Sequence, residues 1–150
     1  MRGALGGAVA AAVWAGVEPL GRRLLKPPAT YSDLRLLGRP FARTHWRLVG
    51  LALHLGNGAV FGTAFAALGG TGWKQGLAVA QAENALLWPG MLVVDRFHPD
   101  RRSGAWPPLL RNGRVFTYEA AMHAVFGVSL GLLVRDGRGA STSFGHGSSG

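Results

Sequence analysis

Apolar residues gather into four long runs divided by short polar and basic stretches. The runs cover Gly3 to about Leu20, Leu48 to Gly69, Gly76 to Val94 and Val115 to Val134. Each approaches the roughly 20 residues that cross a hydrocarbon core, and none shows the polar face of a soluble surface helix. The pattern predicts an all-α fold, a four-transmembrane-helix bundle occupying residues 1–134.

Between the first two runs, Thr30 to Gly38 places capping residues before leucines at helical spacing, then glycine and Pro40. This predicts a short interfacial helix in the first cytoplasmic loop. Trp106-Pro107-Pro108 predicts an irregular loop with its tryptophan at head-group depth. Residues 135–150 are rich in Ser and Gly and predict a disordered tail. The basic cluster of Arg22, Arg23 and Lys26 follows the first run, where a cleaved signal would have a small-residue exit. An uncleaved first helix is therefore expected.

Composition sharpens the picture. Charged residues are 15% of the chain, below the roughly 25% of soluble domains, yet the net charge is +9. The bases avoid the apolar runs. The 21–47 loop holds seven Lys or Arg and the 95–114 loop holds five, against four elsewhere. Positive-inside counting makes both loops cytoplasmic and both termini external. Their expected partner is a bilayer with anionic head groups, and no nucleic acid. With no cysteine, disulfides, Cys-based zinc sites and thiol nucleophiles are excluded.

Small residues recur every fourth position at Ala4, Ala8, Ala12 and Gly16, at Gly58/Gly62 and at Gly127/Gly131. Such faces let helix backbones approach closely in lipid. Pro89, inside the third run, removes the hydrogen bond to the Ala85 carbonyl and predicts a kink one turn beyond Glu83 and Asn84.

Polar groups within the runs carry the candidate chemistry, because an ionisable residue in a membrane helix needs a partner or water. They are His54, Asn57, Glu83, Asn84, Glu119 and His123, with Glu18 and Asp95 nearer the cytoplasmic edge. Helix rise places Asn57, Glu83, Asn84 and His123 within about 3 Å of the midplane, and His54 and Glu119 about 7–8 Å toward the cytoplasm. Glu119 and His123 share a face at i and i+4, and a charge pair between Glu119 and His54 is expected.

Three function classes follow. A structural or accessory protein needs only a satisfied polar cluster that fixes helix register. A small transporter or proton- or ion-conducting protein would use Glu83, Glu119, His54 and His123 as relay groups. A membrane metal-binding enzyme would need those groups to converge on one ion. A hydrolase is excluded for want of a triad, an HExxH motif or a nucleophile elbow. No cofactor is called for. A homo-oligomer or a membrane-complex partner is compatible with the chain.

Several of these positions carry a resemblance. Glu18-Pro19 before a basic loop, His54 followed by Gly58 and Gly62, Lys74-Gln75-Gly76-Leu77 opening the third helix, and Glu119-x-x-x-His123 resemble the YagU-like family of small bacterial inner-membrane proteins. The resemblance covers residues 3–134. It implies multi-pass placement in the bacterial inner membrane and no particular reaction. Its matching positions are Glu18, His54, Glu119 and His123; Glu83 and the loop containing Trp106 lie outside it.

Overall fold

The computed structural model describes residues 2–134, so the expected tail at 135–150 lies outside the described residues. The chain is all-helical over that range: α1 (Arg2–Leu25), α2 (Asp33–Gly38), α3 (Trp46–Ala67), α4 (Gly72–Leu87), α5 (Met91–Phe97), α6 (Pro99–Arg102) and α7 (Gly113–Leu133). Four spans are long and apolar enough to cross a membrane: Gly3–Leu25, Trp46–Ala67, Gly72–Phe97 and Gly113–Leu133.

The spans differ from the sequence expectation at their ends. Helix α1 does not stop near Leu20 but runs through Pro19 to Leu25. Pro19 forfeits one backbone bond, and the added turn carries Arg22 and Arg23, which favour the negative end of the helix dipole. Asn112 caps α7, its side chain accepting from the Arg114 and Val115 amides. At Pro89 the third span breaks into a 3-10 turn, Trp88–Gly90, between α4 and α5, the consequence of the missing proline donor.

The helices form an open row in the order α3, α1, α7, α4. Helix α7 is central and buries Val115, Tyr118, Glu119, Met122, Phe126 and Leu130 along one stripe. Its other side leaves Phe116 and Leu132 exposed. Glycines set the crossings. A methyl on Gly7 would land on the Gly58 carbonyl, one on Gly62 would meet Gly3 and Gly7, and one on Gly76 would land on the Gly127 carbonyl. The contact face of α1 is thus Gly3, Gly7 and Ala11. The predicted stripe of Ala4, Ala8, Ala12 and Gly16 is displaced by one residue: Ala12 is exposed, and a Cβ on Gly16 would meet nothing. The physical reason is that α1 uses its glycines, not its alanines, where backbones touch.

The two basic loops fold against each other over one end of the row. Arg35 grips Asp100 through two hydrogen bonds of 2.8 Å, a fork geometry that fixes orientation as well as distance. Trp106 donates to Thr30 Oγ1 at 3.0 Å and stacks on His98, ring centroids 4.4 Å apart. Trp106 is therefore buried in this cap. Asp95 accepts from the Leu109 and Leu110 amides at 2.7 and 3.0 Å and from Arg101 Nε at 2.8 Å. It anchors the second loop and is not part of the polar cluster.

Candidate functional site

The cap positions side chains that reach down into the bundle. Ser32 caps α2 by accepting from the Arg35 amide, which fixes Tyr31 and Asp33 on either side of it. Tyr31 is fully buried and donates its hydroxyl proton to Glu119 Oε1 at 2.6 Å. Burial beside that carboxyl pushes the Tyr31 phenol far above its ordinary value, so it stays protonated and remains a donor. Glu18 Oε1 accepts from the Tyr118 hydroxyl at 3.1 Å and the Asp33 amide at 3.2 Å. Two buried carboxyls are thus held by the chain's only two tyrosines.

His54 lies between α1 and α2. Its Nε2 sits 3.0 Å from the Ala11 carbonyl, and its Nδ1 sits 2.6 Å from Asp33 Oδ2. A carbonyl only accepts, so Nε2 carries a proton, and Nδ1 lies within ion-pair distance of the Asp33 carboxyl. The expected pair of His54 with Glu119 is not formed: His54 is taken by Asp33 and Glu119 by Tyr31. Trp14 stands between the histidines, its ring edge-on to His54 at 5.2 Å and to His123 at 4.8 Å. His123 donates Nδ1–H to the Glu119 carbonyl at 2.8 Å, which leaves Nε2 as an acceptor.

All six predicted cluster residues border one cavity of about 190 Å³. His54 and Asn57 come from α3, Glu83 and Asn84 from α4, Glu119 and His123 from α7, with Asp33 and Trp14 beside them. Leu36, Leu87, Trp88, Met91 and Phe126 complete an apolar part of the wall. Trp14 Nε1 is buried without a hydrogen-bond partner. Among the described residues no Lys, Arg or His forms an ion pair with Glu83. Glu18 lies behind the wall, held by Tyr118.

The cavity therefore has two kinds of polar group. Glu119, Asp33 and His54 are already engaged by the protein, whereas Glu83, the Asn57 and Asn84 amides and His123 Nε2 make no hydrogen bond among the described residues and are available to a guest. Sequence reasoning passes over Trp14, Tyr31, Asp33, Tyr118 and Asp100. The one signal it offers is that Tyr118 directly precedes Glu119 in α7. Among the described residues no three His, Asp or Glu side chains converge as a metal-binding group. Comparison of the chain with protein-family models, with curated proteins and with solved structures gives no match.

Proposed function

We propose that this chain is a small multi-pass protein of the bacterial inner membrane that binds a positively charged small solute in its intramembrane cavity, as a transporter-type or carrier protein does. The observation that carries the reading is Glu83: a carboxyl bordering a cavity at mid-span, with no basic side chain paired to it. A carboxylate in such a place is tolerable only with a counter-charge or water, and a cationic guest supplies the first. Aromatic residues Trp14, Trp88 and Phe126 border the same space.

In this reading the basic cap faces the cytoplasm, α2 lies at the inner head-group layer, and both termini are outside, as the loop charges require. The resemblance to YagU-like proteins agrees with that placement.

A structural role is the second reading, favoured by the finished bonding of Glu18 and Glu119. One experiment separates the two. Small organic amines are titrated into the detergent-purified protein and thermal unfolding is followed. A bound amine at 100 times its Kd adds about 2.7 kcal/mol of stability, and Glu83→Gln removes the effect. Amines that leave the transition unmoved, with Glu83→Gln as stable as wild type, support the structural role instead.

A further inference from the structure

Helices α3 and α4 are consecutive in sequence yet share no packed interface; α3 lies on α1 and α2, and α4 on α7. The cavity is the gap between them. Its floor is α1 and α7, and at the basic end Asp33, Leu36 and Leu37 of α2 close it. Helix α2 is itself clamped there, by the Arg35–Asp100 fork and by backbone contact of Gly38 and Gly50 with the facing helix. Two residues that border the cavity, Asn57 on α3 and Leu87 on α4, are exposed on the flank of the bundle. For a membrane-spanning row that flank is lipid. The cavity thus opens sideways into the bilayer.

A space of about 190 Å³ is smaller than the roughly 300–1,000 Å³ that encloses a drug-sized ligand, so it holds a head group and leaves a chain outside. The groups available to a guest are the Glu83 carboxyl and His123 Nε2, which accept, and the side-chain amides of Asn57 and Asn84, which donate and accept. An ammonium satisfies the acceptors with its N–H bonds. A hydroxyl oxygen beside it accepts from an amide N–H of Asn57 or Asn84. We infer that the cleft takes a single-chain amphiphile with an amino-alcohol head group, delivered laterally from the lipid, its ammonium on Glu83 and its chain leaving between Asn57 and Leu87. This rests on the cation-binding reading above and adds the route and the chain.

The test uses the whole protein in neutral phosphatidylcholine nanodiscs, with thermal unfolding as the readout. The probes are 2-aminododecan-1-ol, dodecan-1-ol and the chainless 2-aminoethanol. The long amino alcohol should stabilise at concentrations in the disc at least tenfold below those dodecan-1-ol needs, and Glu83→Gln should erase that difference. 2-Aminoethanol should need at least a hundredfold more than the long amino alcohol. Equal potency of the two amino alcohols, compared at their concentrations in the disc, overturns the lateral amphiphile and leaves the cation site standing. Failure of all amines overturns both. Because the chain has no cysteine, Asn57→Cys provides a single thiol for the route. A lipid-soluble pyrene maleimide should label it, and 2-aminododecan-1-ol should slow that labelling at least fivefold. Labelling at an equal rate by a sulfonated, water-confined maleimide would overturn the lateral opening, whatever the fate of Glu83→Gln.

Discussion

Tyr31, in the first loop, donates its hydroxyl to Glu119, 88 residues further along the chain on α7, at 2.6 Å. The bond ties the cap to the central helix and accounts for a carboxyl that is 3% exposed. Removing the hydroxyl with Tyr31→Phe leaves Glu119 buried without its donor, at a cost of about 1–3 kcal/mol. Thermal unfolding in detergent reads this. In a Glu119→Leu background the same change should cost far less, since no carboxyl then remains to satisfy.

His54 should couple to Asp33 and not to Glu119. In double-mutant cycles His54→Leu with Asp33→Asn is expected to give an interaction energy of about 1–3 kcal/mol, whereas His54→Leu with Glu119→Gln should add within about 0.5 kcal/mol. A large His54–Glu119 term would contradict the geometry of both pairs.

The helix crossings predict opposite outcomes for one substitution type. Gly7→Ala or Gly58→Ala drives a methyl into backbone and should lower the melting transition by several degrees or prevent folding. Gly16→Ala meets nothing and should gain about 0.5–1 kcal/mol from helix propensity. Comparing the variants in one detergent checks the register of α1 directly.

The cap should loosen in acid. Hydrogen bonding to Arg35 holds the Asp100 carboxyl below its ordinary 3.8, so its contribution is complete above about pH 5 and is lost as pH falls through the lowered folded value. Burial holds His98 below its ordinary 6.5. Its neutral form is favoured by folding, so that contribution also stands above 6.5 and fades as pH falls toward the lower folded value. Stability should therefore decline from about pH 6.5 downward, and His98→Phe should remove the upper part of the decline. Asp100→Asn should cost about 2–3 kcal/mol, below the loss of a fully buried pair because Arg35 keeps some solvent contact. Thermal unfolding followed across pH reads both.

Topology is checked with reporter fusions after Lys74 and after Val134. Both should report the external face. A cytoplasmic signal from either would reverse the orientation assigned from the loop charges.

The four spans were legible because length and hydropathy are local properties, and the membership of the polar cluster was legible because an ionisable group inside a span stands out against apolar neighbours. Pairing was not legible. His54 and Glu119 match in depth, but depth says nothing of which helices adjoin, and the partners that win, Asp33 and Tyr31, come from a loop whose residues read as caps and surface. Spacing likewise named small residues on α1 without saying which row faces α3. Alanine and glycine look alike in such a pattern until two backbones must touch, and then only Gly3 and Gly7 fit. Asp95 stood out by the same rule as Glu83, yet it serves loop amides, because nothing local distinguishes a carboxyl aimed into a bundle from one aimed out of its end.

The row order carries a consequence for biogenesis. When α3 leaves the ribosome and the insertion machinery, α1 is already present, and the Gly3, Gly7, Gly58 and Gly62 contacts can close at once. Helix α4 emerges next and finds no neighbour, since its partner α7 is about 40 residues away in synthesis. For that interval Glu83 is carried on a helix that lacks its packing partner. A nascent protein arrested after α5 should therefore be cleared by membrane proteases far faster than one arrested after α3.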